Sequence, residues 1–315
     1  MNPACLSAGT PDILDGCVLM IRKGMKEFLI MGFLIAATLL VAGCTNETSA
    51  PQDGAVSADK TVVLASTPYD TERSSANVLK LVFEEAGYDL QIKTVDVGLA
   101  FLAVADGSAD AFVGAWLPTC HRNYLESYED QMDFVRVNME GTRCGLVVPS
   151  YVEIDSIDEL NDVKDRFDGK IIGIEPGAGI MGSTETAIDS YGLDYELVTA
   201  SETSMIAILK GAIDDDEWVV VIGWSPHWKF VRWDLKYLDD PQNIYGGVEE
   251  ISTFTRIGFA DEMPGAYAIL KRFHWTASDM ESIMLNIEGG MSEEEAAAVW
   301  VDAHPDMVAE WLGTA

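Results

Sequence analysis

Short apolar runs alternate with amphipathic segments along the first part of the chain beyond residue 60. The apolar runs have the length of strands and lie at 61–65, 91–95 and 111–115. Between the first two, the spacing predicts a helix that Ser74 and Ser75 cap and that Gly87 ends. A shorter helix is predicted over 100–105, before the third strand.

The same alternation begins again after a further apolar run at 145–149. Strands predicted at 171–174 and 219–222 flank a helix at 182–191, and the pattern becomes helical beyond Phe259. The predicted helices of this last part are 262–274, 276–288, 292–303 and 305–313. Strands that alternate with helices are typical of a mostly parallel sheet with both faces covered. The repeated pattern predicts two α/β lobes with a cleft between them.

The N-terminal stretch differs from this pattern and indicates the compartment. A basic segment at 22–26 precedes an apolar run at 28–41. That run is shorter than the roughly 20 residues that span a bilayer, but it has the length of a secretory signal. It ends in Leu-Val-Ala-Gly-Cys44, which resembles the lipobox of lipoproteins. The resemblance implies cleavage before Cys44 and a lipid on its thiol.

Residues 1–43 are therefore expected to be a signal peptide. The first 19 fit no signal, which suggests that translation starts at Met20 or Met25. Residues 44–57 are polar and are expected to form a flexible tether. We expect the protein on the outer face of the cytoplasmic membrane, held there by its lipid.

Charge narrows the range of partners. The net charge is −32, and the exported part keeps all of it because residues 1–43 carry three acids and three bases. Such a surface repels nucleic acid and anionic lipid headgroups. It also weakly favours a cationic or zwitterionic ligand. No nucleic-acid partner is expected.

Cysteine use suggests one further bond. After removal of the signal peptide and lipidation, only Cys120 and Cys144 remain as thiols in the folded part. In an oxidising compartment they could form one disulfide. The alternative is a pair of reduced cysteines that act as small apolar residues.

A glycine-rich segment at 173–181 (GIEPGAGIM) follows a predicted strand and opens a helix. It lacks the Lys-Ser/Thr pair of a phosphate-binding loop. Gly177 and Gly179 would let the backbone approach a ligand, and the free N–H groups of the next helix would suit one carboxylate. A tight turn without a ligand fits these residues equally well.

Enzyme chemistry finds little support. The chain has four histidines but no Gly-x-Ser-x-Gly elbow. Cys120 and His121, with His227, would make poor zinc ligands because adjacent residues suit tetrahedral geometry badly. We predict no enzyme, no cofactor and no metal site.

Tryptophans are placed where ligands bind in open α/β sheets. Trp116 ends one predicted strand, and Trp224, Trp228 and Trp233 follow another. A cation that cannot donate hydrogen bonds is held by aromatic faces, which contribute up to about 2 kcal/mol or more when desolvated. Aromatic rings beside a carboxylate site would form a receptor for a methylated-ammonium carboxylate.

Three segments resemble the hallmark sequences of substrate-binding proteins of glycine betaine transporters. They are 114–124 (GAWLPTCHRNY), 173–181 (GIEPGAGIM) and 223–241 (GWSPHWKFVRWDLKYLDDP). The resemblance extends from about residue 61 to 312. It implies a type II periplasmic-binding-protein fold that closes around its ligand. It also implies a function as the extracytoplasmic component of an ABC transporter, with a permease and its ATPase as partners.

By motif position, the resemblance assigns an aromatic cation-π cage and a set of carboxylate donors. The cage residues are Trp116, Trp224 and Tyr69; the donors are the amides of Gly179 and Ile180 and the ring of His121. Some relatives have Trp where this chain has Tyr69. Trp228 is an alternative lining residue.

The resemblance also gives lobe boundaries. Lobe 1 is expected at 58–147 and 256–315, and lobe 2 at 148–255. Glycine betaine is the expected ligand, for osmoprotectant uptake. Choline, carnitine, ectoine and proline betaine are the alternatives among ligands, and a tethered ligand sensor is the alternative outside transport.

We predict that Cys44 is the lipidated N-terminus of the mature protein. The lipobox places the cleavage before it, so a mass spectrum of the mature chain should show an N-terminal Cys44 that carries lipid. An unmodified Cys44 inside a longer mature chain would contradict the prediction.

Overall fold

The computed structural model describes residues 60–315; the predicted signal peptide, Cys44 and the tether lie outside the described residues. The strands are β1 Thr61–Ser66, β2 Asp89–Thr94, β3 Ala111–Leu117, β4 Met132–Pro149, β5 Lys170–Ile172, β6 Glu196–Val198, β7 Val221–Ser225, β8 Leu235–Tyr237 and β9 Val248–Arg256. Within the described part, no helix is both long enough and apolar enough to cross a bilayer.

The helices surround this sheet and fill the C-terminal part of the chain. They are α1 Asp70–Glu85, α2 Val97–Ala105, α3 Arg122–Tyr128, α4 Gly179–Tyr191, α5 Glu202–Asp214, α6 Lys229–Arg232, α7 Phe259–Glu262, α8 Pro264–Arg272, α9 Ala277–Glu288, α10 Glu293–Ala303 and α11 Pro305–Leu312. Short 3₁₀ segments cover Glu129–Gln131 and Ile157–Phe167. The four predicted C-terminal helices correspond closely to α8 to α11, with α7 before them.

All nine strands belong to one sheet, in the order β2-β1-β3-β9-β4-β7-β5-β6, with β8 beside β4. The outer strands pair in parallel, as predicted: β1 with β2 and β3, and β5 with β6 and β7. The middle is antiparallel, because β9 pairs with β3 and β4, and β4 also pairs with β7 and β8. The expectation of a mostly parallel sheet was therefore wrong for the centre.

The pattern missed much of the two long central strands, together with the short strands β6 and β8 and the helices α3, α5 and α6. β9 was not predicted, and β4 was predicted only from residue 145 onward. Their sequences, VEEISTFTR and MDFVRVNMEGTR, are rich in polar residues, so they do not read as apolar runs. They are strands because they pair with each other from Met132 opposite Arg256 to Arg143 opposite Val248. Pairing across the sheet outweighs local composition here.

Helix α1 begins earlier than predicted, at Asp70 rather than after a cap at Ser74 or Ser75. Tyr69 is the residue before its first turn, and its backbone is extended there. Ser74 and Ser75 lie inside the helix rather than at its cap. Their hydroxyls donate to the carbonyls of Asp70 and Thr71, at 2.7 and 3.0 Å. The early start places Thr71 and Glu72 in the first turn of the helix, where both are buried.

The C-terminal helices pack onto α1 and hold it in place. Arg73 of α1 donates through Nε to Glu293 of α10 at 2.6 Å, and Lys80 bonds to Glu294 at 2.6 Å. Beneath these ion pairs, α9 and α10 bury Ile283 and Trp300 against the core. The helical tail thus packs on α1, and its helices α8 and α9 also contact β4.

Candidate ligand-binding site

One small cavity in the described part of the chain gathers all six residues predicted to bind the ligand. They are Tyr69, Trp116, His121, Gly179, Ile180 and Trp224. Trp228 is not among the lining residues. Its indole N–H instead donates to Asp70 Oδ2 at 2.8 Å, and its ring packs against His227 and Trp233.

The aromatic rings reach the cavity from the ends of three separate elements. Tyr69 precedes α1, Trp116 lies near the carboxyl end of β3, and Trp224 lies near the carboxyl end of β7. The two tryptophans are each 5 % exposed. The rings of Tyr69 and Trp224 meet edge to face, with centroids 5.9 Å apart. Their burial makes this wall of the cavity apolar and excludes water from it.

His121 is held in one tautomer by the backbone. The amide of Trp116 donates to His121 Nδ1 at 3.0 Å, so Nδ1 carries no proton in the neutral ring. The proton is therefore on Nε2, which remains as a hydrogen-bond donor. A neutral His121 can therefore offer one N–H to an anionic group in the cavity.

A carboxylate on β9 fixes the turn that carries His121. Glu249 is 1 % exposed and accepts hydrogen bonds from the amides of Thr119 and Cys120, at 2.6 and 3.1 Å. These bonds hold the turn between β3 and α3 against the centre of the sheet. Glu249 could not be identified from the sequence, because nothing in the local pattern of the unpredicted strand β9 distinguishes it.

The N-terminus of α4 comes very close to this turn. A Cβ on Gly179 would lie 2.0 Å from the carbonyl oxygen of Cys120 and 2.8 Å from Cδ2 of His121, so only glycine fits. The preceding Gly177 has a φ of +91°, which also favours glycine. The first amides of a helix have no partner within the helix and attract anions. Because Gly179 packs against His121, the free amides at the start of α4 lie beside the histidine ring.

Glu72 is a further lining residue, which the sequence alone does not single out as part of the site. Its buried carboxylate accepts hydrogen bonds from Trp116 Nε1 at 2.9 Å and from the hydroxyls of Thr71 and Thr67, at 2.6 and 3.1 Å. Burial raises the pKa of Glu72, whereas these three bonds lower it. Spacing alone could not reveal this role, because the third position of a helix commonly carries an acid.

A second polar cluster lies behind Trp224. His227 donates through Nε2 to Glu202 at 2.9 Å, because its Nδ1 accepts from the amide of Lys229 at 3.1 Å. The Lys229 ammonium is fully buried and lies 4.1 Å from the centroid of the Trp224 ring. Burial lowers the pKa of Lys229 to about 7 and raises that of Glu202 to about 7. The amide of Asp70 also donates to Glu202 at 3.1 Å, which ties α1 to α5.

A disulfide between Cys120 and Cys144 was one of the two alternatives that the sequence left open. Cys120 and Cys144 are free thiols, as in the other alternative. Their sulfur atoms lie within 4.8 Å, whereas bonded sulfurs lie about 2.05 Å apart. A hydrogen bond between the thiols lowers the pKa of Cys120 and raises that of Cys144.

Two groups of described residues have the spacing of metal ligands: Cys120 with Cys144 and Glu249, and Asp70 with Glu202 and His227. In both groups the carboxylates already accept hydrogen bonds. Glu249 is bonded to two amides, and Glu202 is bonded to His227 and to the amide of Asp70. These hydrogen bonds account for the close spacing of the side chains in both groups.

Comparison with known proteins places the chain in a family. Residues 60–303 match the family described as the substrate binding domain of ABC-type glycine betaine transport systems. The glycine betaine/carnitine transport binding protein GbuC of Listeria monocytogenes is 42% identical over 171 residues, which are 53% of this chain and 55% of GbuC. The match thus spans about half the length of this curated relative.

Solved structures show the same fold. Lactococcal OpuAC, in a closed complex with glycine betaine, has 40% identity and a TM-score of 0.78, covering 81% of this chain and all of that one. A glycine betaine/L-proline-binding protein (ProX) of Borrelia burgdorferi has 38% identity and a TM-score of 0.78, covering 80% of this chain and 96% of that one. The predicted type II periplasmic-binding-protein fold is confirmed. The chain belongs to the family of substrate-binding domains of ABC-type glycine betaine transport systems.

Proposed function

We propose that this protein binds glycine betaine outside the cytoplasmic membrane and delivers it to an ABC permease and its ATPase. The observation that carries the proposal is the cavity itself, where three aromatic rings face a histidine and the start of a helix. The names of the relatives support it, since GbuC is a glycine betaine/carnitine binder and lactococcal OpuAC was solved with glycine betaine. Binding and release, without catalysis, are the chemistry that this arrangement provides.

The trimethylammonium head of glycine betaine would lie among Tyr69, Trp116 and Trp224. This head has no N–H to donate, so hydrogen-bonding groups cannot hold it. The faces of electron-rich rings can, and each interaction is strongest where water is excluded. Both tryptophans are almost fully buried, which meets that condition. Tyr69 provides a smaller ring than tryptophan would.

The ligand's carboxylate would accept hydrogen bonds from His121 Nε2 and from the amides of Gly179 and Ile180. The bond from the Trp116 amide supports this role, since it leaves His121 as a donor. Choline has no carboxylate to use these donors, which favours betaines over choline. Carnitine and proline betaine also carry a carboxylate and are closer alternatives.

The two ends of the ligand would join the two lobes, at 58–147 with 256–315 and at 148–255. Three hydrogen bonds already connect these parts beside the cavity: Asp70 N to Glu202, Trp228 Nε1 to Asp70, and Tyr124 Oη to the carbonyl of Gly177. A ligand that contacts both lobes would stabilise the closed form. The closed form is what a permease would recognise, and a lipid on Cys44 would keep the protein near it.

We predict that Trp116→Ala and Trp224→Ala each weaken glycine betaine binding about tenfold or more. Loss of one ring from a desolvated cation site removes about 1.4 kcal/mol or more. Calorimetric titration with glycine betaine, choline, carnitine, ectoine and proline measures this and ranks the ligands. Trp218→Ala, at a tryptophan outside the cavity, is the control. Retention of full affinity in both cavity variants would mean that the cation binds elsewhere.

His121→Ala should weaken glycine betaine binding more than choline binding. The ring donates to a carboxylate that only the betaine possesses, and a hydrogen bond to a charged group contributes about 1.5–3 kcal/mol. The ratio of the two dissociation constants, measured for parent and variant, isolates this bond. Equal losses for both ligands would indicate that His121 only supports the turn.

Gly179→Ala should reduce glycine betaine affinity by at least about tenfold. Its Cβ would collide with the Cys120 carbonyl and push α4 away from His121, which separates the donors. Gly182→Ala is the matched control, because a Cβ at this position of the same helix meets nothing within 4 Å. If both variants bind like the parent, the close approach of α4 does not matter for the site.

A further inference from the structure

The cavity wall contains the carboxylate of Glu72 in addition to its aromatic rings. We propose that Glu72 determines specificity for cationic ligands, as the buried counter-charge of the ligand's cationic head. It acts directly across the cavity and through the Trp116 ring to which it is bonded. This inference rests on the proposed function, since it concerns the same cavity.

The first argument is the isolation of the charge. Glu72 is 4 % exposed, and among the described residues no lysine or arginine forms an ion pair with it. A buried carboxylate without a positive partner is costly even when hydrogen bonds satisfy its oxygens. A cationic ligand in the cavity would supply the missing partner. A neutral ligand of the same shape would leave the charge uncompensated.

The second argument is the bond to Trp116. The indole N–H of Trp116 donates to Glu72 Oε1 at 2.9 Å, so the negative charge of the carboxylate lies at the edge of the indole ring. Charge-assisted hydrogen bonds are stronger than neutral ones and polarise the donor. The polarised indole has more electron density on its face. Attraction of a cation to that face increases accordingly.

The third argument is that the fold makes space for this carboxylate. Gly114 lies in β3, where every residue is buried. A Cβ at Gly114 would lie 2.6 Å from Glu72 Cγ and 3.0 Å from Oε1, so any larger residue would displace the acid. Two threonine hydroxyls hold the other oxygen. The position of Glu72 is therefore determined by both a steric and a hydrogen-bonding constraint.

The test is Glu72→Gln, which keeps the size of the side chain and removes its charge. Dissociation constants are measured for glycine betaine and for 3,3-dimethylbutyrate, in which a tert-butyl group replaces the trimethylammonium head. Glycine betaine affinity should fall at least tenfold, whereas affinity for the neutral-headed isostere should be unchanged or rise. Choline shares the cationic head, so its affinity should fall by the same factor as that of glycine betaine.

Glu85→Gln is the matched control, because it makes the same change at an exposed position of the same helix. Should E72Q fail to fold, as judged by thermal unfolding, Gly114→Ala displaces the acid without removing it. That variant should also lose at least tenfold in glycine betaine affinity. Gly211→Ala, where a Cβ meets nothing within 4 Å, should lose none.

Two outcomes would overturn the inference while the parent still binds glycine betaine. One is a loss below twofold in E72Q. The other is an equal loss for glycine betaine and its isostere, which would assign Glu72 a purely structural role. If the parent itself binds no quaternary ammonium compound, the proposed function fails first, and the inference fails with it.

Discussion

The site depends on the close approach of one helix start to one turn. Gly179 packs so tightly against the carbonyl of Cys120 that no side chain fits between them. This contact places the free amides of α4 beside the ring of His121. On the other side, Glu249 anchors the same turn to the central strand β9. Without these contacts, the amides of α4 and the ring of His121 would not lie side by side.

Burial of charged groups costs free energy, and the two buried acids near the cavity, Glu72 and Glu202, have different surroundings. Glu72 lies in the cavity wall with three neutral donors, whereas Glu202 lies behind Trp224 with His227 and near Lys229. Burial moves the pKa values of Glu202 and Lys229 toward each other, to about 7 in both cases. In this second cluster the charges of Glu202 and Lys229 act on each other. Among the described residues, no lysine or arginine forms an ion pair with Glu72, and the proposed ligand would supply the positive charge.

The polar residues near the cavity also link regions that are far apart in sequence. Asp70 follows Tyr69 at the start of α1, yet its amide bonds to Glu202 and its carboxylate accepts from Trp228. Movement of the start of α1 away from both α5 and residues 224–228 would break both bonds together with the aromatic contact of Tyr69 with Trp224. Opening of the cavity and loss of its aromatic wall are thus coupled.

The sequence determined the parts of this protein that local pattern encodes. Apolar runs indicated most of the outer parallel strands, periodicity indicated the C-terminal helices, and the tryptophans at the ends of β3 and β7 indicated the cavity. Only the tertiary structure decided the antiparallel centre of the sheet, because polar strands such as β9 are stabilised by pairing rather than by composition. It also decided that Glu72 lines the cavity and that the sulfur atoms of Cys120 and Cys144 lie within 4.8 Å of each other. Both depend on distances between residues remote in the chain, and those distances exist only after the chain has folded.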